Sequence, residues 1–129
     1  RTSKLAYESA GIGPEDVDLA EIHDAFTIAE LMYYEALGFC EKGGGIGMVE
    51  RGDTRIAGKK PVNPSGGLLC RGHPVGATGV AQICESVWQL RGEAGRHQVE
   101  GARVALTHCT GGGISGLDHG ACAVHILMT

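Results

Sequence analysis

Two histidines and one cysteine carry the chemistry this sequence offers, one histidine and the cysteine in its glycine-rich runs. His73 lies within Gly66-Gly67-Leu68-Leu69-Cys70-Arg71-Gly72-His73-Pro74-Val75-Gly76-Ala77-Thr78-Gly79. Pro74 biases His73 toward an extended backbone, and Gly72, Gly76 and Gly79 let main chain or a ligand approach the ring. His23, in Glu21-Ile22-His23-Asp24-Ala25-Phe26, follows one predicted strand. Cys109, in His108-Cys109-Thr110-Gly111-Gly112-Gly113, sits just past another. Ligand sites of open α/β sheets form at the carboxyl ends of strands. Two imidazoles and a thiol have pKa values that can be moved to work near neutral pH, a set suited to acid/base chemistry at an acyl centre.

The elements that must position these groups alternate along the chain. Leu5, Ala6 and Ala10 suit a short helix closed by Gly11, and the Val17/Leu19 alternation in residues 17–22 predicts a strand. Asp24 is placed to cap a helix with the apolar stripe Ala25, Ile28, Ala29, Met32, Ala36 and Leu37, ended by Gly38. Residues 40–64, including Gly43-Gly44-Gly45, read as a long functional loop with at most short strands. Val80, Ile83, Val87 and Leu90 stripe a helix that stops at Gly92. Residues 103–108 and 121–127 read as two buried strands joined by a glycine-rich turn from Gly111 to Gly120. The order implies a small open sheet with helices against it.

Composition narrows the function. The 129 residues are 43% hydrophobic and 20% charged, with 22 glycines and a net charge of -4, which describes one ordinary α/β domain able to bury roughly two-thirds of its unfolded surface. Mild acidity without a Lys/Arg cluster argues against nucleic acid. No apolar stretch is long enough to span a bilayer, and no charged-then-apolar leader is present. Cys40, Cys70, Cys84, Cys109 and Cys122 have no disulfide-like spacing and suggest reduced thiols, hence a cytoplasmic protein, with a peroxisomal or other organellar site also open. Beginning at Arg1 in a helix-like pattern, residues 1–129 read as a single domain that is a fragment of a longer chain.

Other readings of these residues are weaker. His73 and His23 have structural alternatives as helix caps or main-chain partners, and Cys109 as an inert buried thiol. His108, Cys109, His119 and Cys122 do not match a recurrent zinc spacing, so no metal is expected. Gly43-Gly44-Gly45-Ile46-Gly47 lacks the Lys-Ser/Thr of a phosphate loop and reads as flexible. Gly113-Ile114-Ser115-Gly116-Leu117 misses the serine-hydrolase elbow at Leu117. Lys59-Lys60 reads as a solvated loop tip.

His23-Asp24-Ala25-Phe26, Gly72-His73-Pro74-Val75-Gly76-Ala77-Thr78-Gly79 and Cys109-Thr110-Gly111-Gly112-Gly113 together resemble, in order and spacing, the three C-terminal-half motifs of the thiolase superfamily. The histidine form of the first motif resembles the sterol-carrier and lipid-transfer branch, which includes thiolases and steroid side-chain retro-aldolases. The resemblance implies the C-terminal half of a five-layered αβαβα fold, a small open mixed sheet flanked by helices. It also implies coenzyme A thioester substrates, no covalently bound cofactor, an N-terminal half carrying a nucleophilic cysteine, and a dimer or other homo-oligomer in the full-length protein. His73 would accept the nucleophile's proton and help bind the thioester oxyanion, and Cys109 would shuttle the proton at the substrate α-carbon. Main-chain N–H groups near Gly111 and Gly112 would form a second oxyanion hole, with His23 positioning water or donating to an oxyanion. An acyl-CoA acyltransferase is the first expectation, inactive alone. A retro-aldolase needing an OB-fold partner, or a non-catalytic module binding acyl-CoA or a partner, is the alternative. The sequence departs from the pattern in the long stretch 114–120, in a cysteine where many lipid-transfer-type relatives have asparagine, and in lacking both the nucleophile's helix and the first strand of the usual second half.

Overall fold

The computed structural model describes residues 1–115 and 118–129. Eight elements build the fold: α1 (Thr2–Ala10), β1 (Leu19–Glu21), α2 (Thr27–Ala36), α3 (Gly45–Glu50), α4 (Gly67–Arg71), α5 (Thr78–Arg91), β2 (Val104–Ser115) and β3 (Asp118–Met128). The strands form one mixed sheet in the order β1-β2-β3. β1 runs parallel to β2 with Leu19 opposite Ala105 and Glu21 opposite Thr107, and β2 pairs antiparallel with β3, Cys109 opposite Ala123.

Strand alternation divides the side chains between two layers. Ala20, Ile22 and Leu106 meet Tyr7, Val17, Tyr34, Leu37, Met48 and Val62 in the main core, on the side of α1, α2 and α3. Leu19 and Ala105 face the other way with Val99, beneath α5. β2 is therefore apolar on both faces near its start, as a central strand must be. The tyrosine hydroxyl of α1 secures the first layer: Tyr7 donates to the Leu37 carbonyl at 2.8 Å.

Several sequence expectations are corrected. In α2 the stripe residues Ile28 and Met32 are exposed, and Tyr34 is the buried side chain; Leu5 of α1 is likewise exposed while Tyr7 is buried. The expected loop 40–64 contains α3, because Gly45 lets this helix cross α2 closely. A Cβ at Gly45 would stand 2.9 Å from the Leu31 carbonyl oxygen, so this glycine serves close packing rather than flexibility. Lys60 is not a solvated tip: its ammonium donates to the carbonyls of Pro14 at 2.9 Å, Glu15 at 3.3 Å and Val17, pinning the turn that leads into β1. The turn read as Gly111 to Gly120 is shorter, since both strands extend into it with Gly111 opposite Ala121 and Gly113 opposite His119. Cys109 consequently sits inside β2 rather than past its end. Gly116 and Leu117, on which the hydrolase-elbow reading falls, lie outside the described residues. β3 is an edge rather than a buried strand, with Ala121, Cys122 and Ala123 exposed, because α5 packs mainly on β2.

Candidate active site

The three residues singled out by their chemistry meet on the α5 side of the sheet. β1 ends at Glu21, so His23 leaves its carboxyl end and is buried at 8% exposure. Cys109 projects from β2, and its sulfur lies 3.6 Å from Nδ1 of His23. His73, between α4 and α5, meets His23 edge to face with ring centroids 4.8 Å apart.

Nδ1 of His73 is 2.8 Å from the Thr78 hydroxyl, which is also 3.2 Å from the Pro74 carbonyl. With the hydroxyl proton on Pro74, Nδ1–H donates to Thr78 and Nε2 carries the lone pair. Thr78, buried at the start of α5, is thus the orienting group for the exposed imidazole of His73. It lies inside the glycine-rich motif, and a hydroxyl five residues after a histidine at a helix start was the available signal.

The segment carrying His73 is built from β1. Asp24 does not cap α2, which begins without a side-chain cap. Its carboxylate accepts from the Leu68 and Leu69 amides at 2.6 and 3.5 Å and caps α4 instead. Gly67 makes this possible: its φ is +64°, and a Cβ there would fall 2.2 Å from the Asp24 carboxylate. Gly72 then ends α4 at φ +86° and delivers the chain to His73.

These groups line an open pocket of about 530 Å³ between α5 and the β2–β3 hairpin. Its walls are mainly apolar, with Val75, Val80, Ile83, Ala121 and Ala123 contributing, and the polar groups His23, His73, Thr107, Cys109 and His125 converge within it. Gly111 and Gly112 belong to the same wall, within β2, and Gly112 has φ +67°. His125 was missed by sequence reasoning, because strand register alone shows that it faces the pocket: it stands opposite Thr107, with Nδ1 3.1 Å from that hydroxyl. Burial raises the pKa of the Cys109 thiol, with Cys122 adding in the same direction, so the sulfur is protonated at neutral pH. His108, adjacent in sequence, faces the opposite side of the sheet against Tyr33, at 4.4 Å between ring centroids. Among the described residues no group of three or more His, Cys, Asp or Glu is arranged to hold a metal ion.

A small mixed sheet with helices on both faces, and a pocket where Cys109 of β2 meets the two histidines, goes with the class. The chain belongs to the Thiolase C-terminal domain-like family, whose profile matches residues 1–124. It is 56% identical over 109 residues to "Sterol carrier protein 2" of Rattus norvegicus, covering 84% of this chain and 20% of that protein. It is 55% identical over 124 residues to "Acetyl-CoA acetyltransferase" of Methanothermobacter thermautotrophicus, covering 96% of this chain and 31% of that one. The "Benzoylsuccinyl-CoA thiolase subunit BbsB" of Thauera aromatica is 55% identical over 113 residues, 87% of this chain and 29% of the relative. Among solved structures, "Ltp2-ChsH2(DUF35) aldolase" superposes with a TM-score of 0.82 at 26% identity, covering 98% of this chain and 30% of that one. The chain thus spans between a fifth and a third of the relatives it matches. No helix among the described residues is long and apolar enough to cross a membrane.

Proposed function

We propose that this chain is the C-terminal catalytic half of a thiolase-like acyl-CoA acyltransferase, acting with an N-terminal half in a homo-oligomeric protein of a reducing compartment, the cytoplasm first. The observation that carries this reading is the convergence of His23, His73 and Cys109 in one apolar pocket. In thiolysis of a 3-ketoacyl-CoA, a cysteine thiolate of the companion half attacks the keto carbon, and the bond between C2 and C3 breaks. The carbanion left on C2 takes the proton of the Cys109 thiol, and burial keeps that proton in place until then. Nε2 of His73 holds the proton taken from the attacking cysteine; coenzyme A then attacks the acyl-cysteine, its thiol proton restores Cys109, and His73 returns its proton to the released cysteine. His23 donates to, or positions water on, the developing oxyanion. Main-chain N–H groups near Gly111 and Gly112 serve as a second oxyanion hole, an interaction worth about 3 kcal/mol in comparable sites. No cofactor is covalently held; coenzyme A enters as a substrate.

The solved relative titled an aldolase favours a second reading. A retro-aldolase acting on an acyl-CoA would need no acylated cysteine and would employ an OB-fold partner. A module that binds acyl-CoA or a partner without turnover is the third.

Coenzyme-A-dependent cleavage of a 3-ketoacyl-CoA separates these. The chain alone, the chain joined to its native upstream half, and the joined form with His73→Ala are compared. Activity in the joined form only, lost by at least a hundredfold in His73→Ala, is expected. Tight acyl-CoA binding with no cleavage in any form sinks the acyltransferase reading and points to aldol substrates or a binding role.

A further inference from the structure

Glu21 is fully buried and takes no part in the steps above. Its carboxylate closes β1, two residues before His23, and reaches both sides of α4. The Ser65 amide donates to Oε1 at 3.1 Å and the Ser65 hydroxyl to Oε2 at 2.6 Å. That hydroxyl also accepts from the Gly67 amide at 3.2 Å, at the start of α4. The guanidinium of Arg71, last residue of α4, comes within 3.4 Å of Oε2. His73 follows Arg71 by two residues. One carboxylate therefore grips the entrance and the exit of the helix that delivers the imidazole.

We propose that Glu21 is a positioning residue for His73: its carboxylate, acting through Ser65 and Arg71, fixes α4 and with it the distance at which His73 meets His23. The proposal rests on the reading of His73 as the base of the site.

The charge balance around Glu21 makes this hold sensitive to pH. Burial pushes its pKa up to about 7, against the lowering effects of the two Ser65 hydrogen bonds and Arg71, and Glu85 raises it further. The charged groups facing it are Arg71 from α4 and Glu85 from α5, and its neighbour in register on β2 is the uncharged Thr107. Glu85 in turn lies 3.0 Å from the His97 ring. Once Glu21 is protonated, Arg71 loses its anion and the exit of α4 is released. Activity and stability then move oppositely. The native state binds this proton more tightly than the unfolded chain, so the group's stabilising contribution is present below pH 4.5 and is lost as pH rises through about 7.

The test uses the full-length protein that contains this chain, with kcat and KM measured from pH 5.5 to 9 alongside thermal unfolding. Glu21→Gln is expected to lower kcat on the order of tenfold or more with KM within about twofold, to lose the acid limb near pH 7, and to match or exceed the wild-type Tm at pH 8. Arg71→Met is expected to lower kcat in the same way and to add little on top of Glu21→Gln. Wild-type kcat and an intact acid limb in Glu21→Gln, with His73→Ala inactive, overturn the proposal and leave the reading of His73 standing. Full activity in His73→Ala overturns that reading and the proposal with it. If Glu21→Gln does not fold, Arg71→Met decides, and an unchanged kcat there overturns the proposal.

Discussion

Asp24 caps α4 by binding the Leu68 amide 44 residues later in the chain, and Gly67 has the backbone form that lets it. Removing the carboxylate strands the buried Leu68 amide, so Asp24→Ala should cost about 2 kcal/mol of stability. Gly67→Ala strains a left-handed backbone and drives a methyl into the same carboxylate, for a similar loss. Because both substitutions spend themselves on one contact, the double variant should lose about 1 kcal/mol less than the sum, measured by denaturant unfolding as a double-mutant cycle. The Cys109 thiol offers a second check at this scale. With its pKa raised by burial, alkylation by iodoacetamide should be slow at pH 8 and keep rising with pH past 9 without levelling off. Fast labelling of Cys109 at pH 7, read by peptide mass, would show the thiol poised as a nucleophile instead.

The helix α5 turns its polar side to the sheet. Thr78, Gln82, Glu85, Ser86 and Gln89 are its buried residues, whereas Val80 is 63% exposed and Trp88 half exposed. The polar side is hydrogen-bonded through its two glutamines, Gln82 donating to the His108 carbonyl at 3.1 Å and Gln89 donating to the His97 carbonyl at 2.8 Å while accepting from the Val99 amide at 2.7 Å, whereas Gln82 Oε1 and the Ser86 hydroxyl are buried without a hydrogen-bond partner among the described residues. Gln89→Leu should therefore cost about 3 kcal/mol by orphaning two main-chain groups, and Val80→Ser less than about 0.5 kcal/mol in this chain, both read by thermal unfolding. This helix also shows how far the sequence could be read. Its existence, its limits and the glycines ending α1 and α5 were legible, because local geometry demands them. Which face it buries was not, since periodicity identifies a stripe without saying what covers it. The same failure reversed α2, where Ile28 and Met32 face outward. His73 and Cys109 were legible from their glycine-rich settings, and His23 from its place just after a predicted strand. Glu21, Thr78 and His125 were not, because their meaning lies in partners distant in sequence or set by strand register.

At the scale of the molecule, the apolar side of α5 and the open pocket beside it form one continuous exposed surface bearing Val75, Val80 and Ile83. Exposed apolar surfaces of this kind mark an interface. In the proposed arrangement the companion half covers it. This chain alone should then self-associate, and coexpression with the upstream half should yield a single species. A monodisperse monomer of the isolated chain by light scattering would contradict that expectation.

The contact between His23 and Cys109 spans 86 residues, and the hairpin that completes the pocket follows every other element described. On a ribosome adding about 5–20 residues per second, His23 emerges roughly 4–17 seconds before its sulfur partner is made. Until β2 slides in beside β1, the buried carboxylate and imidazole of the first strand have no sheet to lie in. Assembly is thus ordered from back to front: the final strands arrive and close the ladder, and only then does the first strand acquire its place. A stop codon within β3 would cost the nascent protein more than its edge, because the histidines already synthesised would never be gathered.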